Sequence, residues 1–380
     1  GVGVFYEAPL FFQYRSPIFR SLPFVSRAVL VRPALPIDTS LASASGPLET
    51  ESFTFEPEAA SVVRYNLVGQ RELGRGTVVT LGYVGSRGRN LFGQGDTNTA
   101  RPEILADGSE FFPEDAPRRN PAFLAVDTIF QGFRSRYDSL QVGVVHRRES
   151  LRLQAAYTLG SSRDNRSGSG GRQEFTNGQA RTFDPYDLDR DWGPSDFDVR
   201  HNLVANASWE FRLGRGWLGD GWQVNGIATY ASGLPFTPII PGDPDRDGSD
   251  SNVARPDALP GATTVPAGGR SAERWFDPAA FSFPTLGTRG NAGRNSLRGP
   301  ALALVDVGLV KTVPLRGTAK LQLRLEVFNV LNRANLDLPL NDQDGAAVFD
   351  DGGQPNPTAG RISRTVTDAR EAQIALKLIF

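Results

Sequence analysis

Stretches of alternating apolar and polar residues recur along the chain, and they constrain its fold more than any other feature. The clearest lies in 319–331, where four apolar residues alternate with four polar ones: Leu321, Leu323, Leu325 and Val327 against Lys320, Gln322, Arg324 and Glu326. Successive side chains of a β-strand point to opposite faces, so each stretch predicts a strand with one apolar and one polar face. Helical periodicity is scarce, and we therefore predict an all-β chain.

This pattern predicts ten strands. Their ranges are 1–6, 60–72, 76–86, 136–148, 151–163, 199–212, 222–234, 302–313, 319–331 and 370–380. An apolar face can be buried between the two sheets of a soluble sandwich or turned toward lipid. Alternation by itself therefore leaves both folds open.

The connections between the strands separate the two folds, because long and short ones alternate without exception. The short ones are 73–75, 149–150, 213–221 and 314–318, and the long ones are 7–59, 87–135, 164–198, 235–301 and 332–369. Compact soluble domains mostly use connections of about 4–6 residues, whereas outer-membrane barrels combine short periplasmic turns with long extracellular loops. The sequence therefore predicts part of a transmembrane antiparallel up-and-down β-barrel, with short periplasmic turns and long extracellular loops.

The last predicted strand, 370–380, is apolar at alternate positions up to the carboxyl terminus. It ends on Phe380, with Leu376 and Leu378 on the same face. Soluble domains avoid ending on an apolar edge strand, since unpaired edges aggregate. The closing strand of an outer-membrane barrel does end in this way. We predict that Leu376, Leu378 and Phe380 form a signal for the barrel-assembly machinery, which places Phe380 in the periplasm.

Aromatic residues on the predicted apolar faces give an independent indication. With Phe380 in the periplasm, two sets of rings lie toward opposite strand ends: Tyr65, Tyr83, Tyr157 and Tyr230 toward the outside, and Trp209, Phe211, Trp222 and Phe380 toward the periplasm. Two belts of such rings mark the two interfaces of a membrane-spanning barrel. The sequence thus predicts a location in the bacterial outer membrane, in contact with its lipid.

Composition excludes several classes of protein. The 380 residues include no Cys, so disulfides, thiol catalysis and Cys-based metal sites are ruled out. Lys and Arg number 41 against 42 Asp and Glu, and this balance does not indicate a nucleic-acid partner. No apolar stretch of about 18 residues predicts a membrane-spanning helix. The chain starts in mid-strand, without Met or a signal peptide, and we expect residues 1–380 to be a fragment of a longer protein.

Several short motifs occur in an order and spacing that resemble a known family. They lie at 70–73, 83–91, 197–202 (FDVRHN), 222–226, 232–236, 295–300 and 324–333 (RLEVFNVLNR), followed by the closing strand. With them the chain resembles the carboxyl-terminal part of an Oar-like TonB-dependent outer-membrane receptor. The resemblance implies a barrel of about twenty-two strands around a plug, driven by the TonB complex and taking up an unidentified substrate. The plug, the TonB contact and a small amino-terminal regulatory-like domain are expected in the missing amino-terminal part.

Two functions of other classes remain open at this point: a passive outer-membrane barrel or surface-adhesion protein, and a secreted all-β binding module. Enzymatic activity is not expected, because no catalytic arrangement of Ser, His or carboxylates is present. The two histidines, His146 and His201, have no ligand residues at suitable spacing and are interpreted as structural.

Two acidic segments are candidate metal sites. Asp243, Asp245, Asp247 and Asp250 resemble the start of a calcium loop, with carboxylates at alternate positions and a turn glycine, Gly248. The Glu that would complete such a loop is absent, since Ala254 stands there, and a solvated acidic loop is the favoured interpretation. The second segment contains Asp184, Asp187, Asp189 and Asp191, and an irregular acidic loop is favoured there over a metal site. Apart from calcium, no cofactor is expected.

Overall fold

The computed structural model describes residues 1–7, 48–168, 182–249, 253–341 and 345–380. Ten strands form one sheet: β1 (Val2–Glu7), β2 (Ala60–Gly74), β3 (Thr77–Asp96), β4 (Phe123–Arg148), β5 (Leu151–Asp164), β6 (His201–Phe211), β7 (Trp222–Ala231), β8 (Leu302–Pro314), β9 (Lys320–Phe328) and β10 (Glu371–Ile379). Every predicted strand overlaps one of them, and the four short turns lie where they were predicted.

Each strand of this sheet pairs antiparallel with its neighbours in the chain, from β1 at one edge to β10 at the other. Among the described residues, no pairing joins β1 to β10. The all-β meander predicted from alternation and loop length is therefore confirmed: ten antiparallel strands form the main path of a twelve-stranded sheet that resembles part of an outer-membrane barrel. None of the helices that the structure describes is both long and apolar enough to cross a membrane.

The connection between β3 and β4 is shorter than predicted, because both strands continue beyond their predicted ends at 86 and 136. Phe92 and Ile129 are buried in this extension and pack against Leu91 and Phe53. The pairing shifts register between Gly88 and Leu91. Because this bulge interrupts the alternation, the sequence pattern ends earlier than the ladder does.

A further strand lies in the segment that was predicted as the first long loop. Leu48–Phe53 pairs with the first residues of β4, and this pairing is parallel. It departs from the predicted purely antiparallel arrangement. Alternation could not identify it, because a short strand at the end of a long partner has no periodic pattern of its own to detect.

The strand registers show which side chains share a face of the sheet, since direct cross-strand partners point to the same side. Leu325 lies opposite Leu309 on β8 and opposite Ile374 on β10. We call the face with these residues the outer face. Arg324 and Glu326 belong to the opposite, inner face. The outer face is apolar over the central part of the strands, as the barrel interpretation requires.

Within each predicted aromatic belt, the rings are neighbours on the outer face. Tyr157 and Tyr230 both lie opposite Leu203, and the rings of Tyr65 and Tyr83 stack at 6.1 Å. At the other strand ends a second set is adjacent: Phe211 lies opposite Trp222 and stacks on Trp209 at 5.0 Å.

The long connections pack together into what we call the loop layer, comprising the described residues of 97–122, 165–200, 232–301 and 329–370. Its apolar core is the largest one described in the chain, with members such as Phe236, Phe276 and Val348. Backbone hydrogen bonds also join different connections, for example Phe112 N–H to the carbonyl of Gly287 at 2.7 Å. The long loops are thus folded together rather than spread as separate surface segments.

The loop layer provides a direct test of orientation. Gly268 and Gly269 are exposed, and a side chain at Gly268 would meet open space. An epitope tag inserted between them is expected to be labelled by antibody on intact cells, because the long loops should be extracellular. A tag in the turn at Arg316 is the control and should be labelled only after the outer membrane is opened. The reverse labelling pattern would invert the topology.

Candidate functional site

The inner face of the sheet carries many polar side chains, and we call it the polar wall. A recess of about 730 Å³ lies on it, lined mainly by polar residues of β4 to β7, among them Arg147, Arg152, Gln154, Asn206, Ser208 and Asn225. Arg324 and Glu326 form an ion pair at 2.9 Å. The wall thus carries both signs of charge and many hydrogen-bonding groups, and it could line a passage for polar solutes.

Arg289 is the most connected charge of the loop layer, and its guanidinium is buried. It pairs with Asp184 of the 165–200 connection, with Glu110 of the 97–122 connection at 3.1 Å, and with Asp247 of its own connection at 3.1 Å. The rings of Phe112 and Phe183 lie beside it, at 4.8 Å and 5.7 Å from the guanidinium. Burial acts to lower the pKa of Arg289, but the carboxylates, Asp184 foremost, outweigh this and raise it. This single side chain fastens three connections together.

Three more arginines of the 232–301 connection pair with carboxylates of the segment 164–198. The pairs are Arg255 with Asp191, Arg294 with Asp164 at 2.6 Å and with Asp196 at 3.4 Å, and Arg298 with Asp198. In the second acidic segment, Asp184 and Asp191 are buried as ion-pair partners, while Asp187 and Asp189 are exposed. Sequence reasoning missed these pairs because 64 to 130 residues separate the partners.

The first acidic segment brings three of its four predicted residues together. Asp243, Asp245 and Asp247 have carboxylate oxygens within 4.8 Å of one another, whereas Asp250 lies outside the described residues. Asp245 and Asp247 are buried, so the solvated-loop interpretation is wrong for these two. Arg289 already supplies positive charge next to Asp247. Calcium binding by this segment therefore stays a prediction.

The pKa values of this triad are raised, which predicts a pH dependence. Asp243 is the exposed member, yet desolvation, followed by the charge of Asp247, raises its pKa to about 6. Burial also raises the pKa values of Asp245 and Asp247. A carboxyl with a raised folded-state pKa stabilises the fold below its unfolded value of 3.8, and this contribution is lost as the pH rises through about 6.

We therefore expect the loop layer to open more readily at pH 7 than at pH 5. Because the chain lacks Cys, the variant Ala254→Cys places a single thiol in the buried loop core, and its labelling rate reports opening. Adding Asp243→Asn should reduce the pH effect. The measurement is the labelling rate of Ala254→Cys divided by that of Ala254→Cys with Asp243→Asn, and this ratio is compared between pH 5 and pH 7. An equal pH effect in both proteins would refute the prediction. A lower opening rate at pH 7 on adding Ca²⁺, absent in Asp243→Asn, would support the calcium prediction.

Both histidines have hydrogen-bond partners on the outer face. The Nδ1 atom of His201 lies 2.8 Å from the hydroxyl of Tyr157, and that of His146 lies 2.8 Å from the hydroxyl of Thr77. These contacts tie neighbouring strands together, in agreement with a structural role.

The comparison with protein families decides the class of protein. The model of the family described as "Outer membrane beta barrel domain" matches residues 1–373. This chain belongs to that family. Its location is accordingly the bacterial outer membrane, and the secreted all-β module is excluded. No curated protein matches the chain.

Solved structures of outer-membrane transporters are similar to this outer membrane beta barrel domain over part of their length. The outer membrane transporter YddB from Escherichia coli has a TM-score of 0.42 and 11% identity, over 88% of this chain and 34% of YddB. The FrpB iron transporter from Neisseria meningitidis has a TM-score of 0.38 and 10% identity, over 87% of this chain and 33% of FrpB. FpvA from P. aeruginosa, solved with bound pyoverdine, has a TM-score of 0.38 and 14% identity, over 84% of this chain and 27% of FpvA. The chain thus spans about a third of the length of these transporters.

The closing strand of this outer membrane beta barrel domain carries the residues predicted as the assembly signal. Leu376 and Leu378 lie on the outer face, opposite Leu323 and Leu321 of β9. Phe380 is 87% exposed and follows β10 directly. β10 also lies at the edge of the sheet, and an exposed sheet edge is the surface that β-augmentation by another protein requires.

Deleting Phe380 from the complete protein is expected to lower the amount of folded, heat-modifiable barrel in outer membranes, because the proposed recognition element loses its terminal ring. The control is Lys377→Gln, which alters the same strand on its other face and should leave the amount unchanged. The amounts can be compared by gel shift of unheated and heated membrane samples. Normal insertion without Phe380 would remove the assembly role.

Proposed function

We propose that this chain forms the carboxyl-terminal part of the barrel wall of an Oar-like, TonB-dependent receptor that imports a solute across the outer membrane. The proposal includes a plug and a TonB contact in a part of the protein outside residues 1–380. It also includes recognition of Leu376, Leu378 and Phe380 by the barrel-assembly machinery.

The observation that carries the proposal is the folded loop layer beside the polar inner face. A receptor must present a defined surface to its ligand before import, and binding surfaces on loops need a rigid support. Here the support is an apolar core together with the buried pairs of Arg289, Arg255 and Arg294. Passive diffusion would need the polar wall but not this buried network.

The polar wall itself supports passage of a hydrophilic solute. Charged residues of both signs line the inner face, and Arg152 and Asn206 border its recess. Such a surface can exchange hydrogen bonds with a moving polar ligand. The chemical identity of the solute is left open by this proposal.

Planar-bilayer recording separates this function from the passive barrel. The complete protein, reconstituted in a bilayer, is expected to show no steady conductance in KCl, because a plug closes an energised receptor. It is also expected to bind the purified periplasmic domain of TonB. A stable open channel that does not bind TonB would overturn the proposal and establish the passive barrel.

A further inference from the structure

A group of arginines lies on the outer face, at the loop-layer end of the sheet. Arg87, Arg136 and Arg163 are direct cross-strand partners on β3, β4 and β5, so their side chains form one row. Arg89 and Arg134 alternate with members of this row on the same face. We call these five residues the outer arginine patch.

The patch has more positive charge than the carboxylates of the described residues compensate. Like charges directly opposite one another destabilise a sheet. Asp138 pairs with Arg87 at 3.0 Å and with Arg136 at 2.8 Å, and Asp189 pairs with Arg134.

The two remaining arginines carry the excess charge. In the described part of the chain, neither Arg89 nor Arg163 forms an ion pair, and both are exposed. Among the residues that the structure describes, five guanidinium groups thus share two carboxylates, Asp138 and Asp189. This excess leaves the patch positively charged and open on its outer side.

The position of the patch indicates what can neutralise it. Tyr83 precedes Arg87 on β3, and its hydroxyl donates to Asp138 at 2.7 Å. The patch therefore begins where the outer belt of tyrosines ends, at the depth of lipid headgroups. The ring of Trp192 lies against Arg134 and Arg163, 5.5 Å and 5.9 Å from their guanidinium carbons, and restricts both side chains.

The chemistry of arginine favours phosphate as the anion. The planar guanidinium donates two parallel hydrogen bonds to phosphate oxygens, and several such groups in one row can hold a phosphoryl group from more than one side. A soluble anion would be equally attracted by charge, but the patch faces sideways into the membrane interface, where phosphate is attached to lipid.

We propose that the outer arginine patch binds the phosphoryl groups of a phosphorylated lipid headgroup in the outer leaflet. This assignment rests on the proposed outer-membrane function and on the predicted orientation, with the loop layer outside. It does not depend on plug, TonB or transported solute, so a conductance experiment that disproved energised import would leave it standing.

The test is lipid binding by the complete protein in detergent micelles, measured by native mass spectrometry during titration with bis-phosphorylated lipid A. The variant is Arg89→Gln with Arg163→Gln. It removes the two arginines that have no carboxylate partner among the described residues and leaves the described ion pairs of the patch intact. The control is Arg215→Gln with Arg316→Gln, an equal charge change in two exposed periplasmic turns. Dephosphorylated lipid A and inorganic phosphate complete the set of probes.

The proposal predicts that the patch variant binds phosphorylated lipid A at least about tenfold more weakly than wild type, since two charge-assisted contacts are lost. The control variant should bind like wild type, and dephosphorylated lipid A should bind wild type as weakly as the patch variant binds the phosphorylated form. Equal binding by wild type and patch variant would overturn the site. Displacement of the lipid by an equal concentration of inorganic phosphate would overturn the lipid as its ligand.

Discussion

Replacing Arg289 by Met is expected to lower the free energy of opening of the loop layer by about 3–5 kcal/mol, because breaking a buried ion pair leaves a buried charge under-compensated. Asp247 would lose its ion-pair partner, and Asp184 would keep only Arg190, at 3.6 Å. Asp184 and Asp247 are both buried, and both contact Arg289. Glu110 would lose one of its two arginine partners and keep Arg190. The effect should therefore involve three connections at once.

The labelling rate of the thiol that Ala254→Cys introduces, followed on the peptide that contains it, measures this effect in the complete protein. We expect Arg289→Met to raise the rate roughly a hundredfold or more, without loss of the heat-modifiable barrel, because no strand pairing involves Arg289. Arg274→Met is the matched control, since Arg274 pairs with Asp277 at the surface and such pairs contribute about 0–1 kcal/mol. Adding Asp184→Asn to Arg289→Met should restore part of the stability. Equal labelling of the Arg289 and Arg274 variants would show that the network does not hold the layer together.

Replacing Leu325 by Arg is expected to destabilise the barrel by about 2–4 kcal/mol, the cost of a cation facing the middle of the bilayer. Leu325 lies near the middle of β9, is 41% exposed and has Leu309 and Ile374 as its cross-strand partners. Its guanidinium would thus meet apolar side chains and lipid. The cost can be measured from urea unfolding of the complete protein in lipid vesicles.

Gln373→Arg is the matched control at the same depth on the other face. Gln373 lies directly opposite Glu326 on β9, so the new cation gains an anionic neighbour and water on the inner side. The expected cost is below about 1 kcal/mol. Similar costs at Leu325 and Gln373 would mean that the two faces of the sheet are wrongly assigned.

Local pattern was sufficient to predict the strands and turns. Side-chain direction alternates with period two, and a short turn such as 149–150 forces its flanking strands to pair, so β4 and β5 follow from neighbouring residues alone. The same local signals did not predict the extension of β3 and β4, because a bulge near Gly88 shifts the register there. The parallel strand Leu48–Phe53 depends on a partner about 75 residues away in the chain and leaves no local signal.

The acidic segments show the limit of composition as a guide to a site. Asp residues in a loop are compatible with water, calcium or buried cations, and the sequence around Asp184 or Asp245 does not distinguish among these. Arg289, which is about 40 residues from Asp245 and about 100 residues from Asp184, supplies a buried cation to both segments, while calcium binding by the first segment stays a prediction. Only the folded chain brings these charges to one place.

The sequence by itself therefore determined a two-faced meander for a lipid environment, because strand alternation and turn length are properties of adjacent residues. The tertiary structure decided which loops share a core, which carboxylates are buried, and that Arg87, Arg136 and Arg163 form one row. These features depend on cross-strand register and on contacts between distant segments. Each is set by the packing of the whole chain and is absent from any short stretch of it.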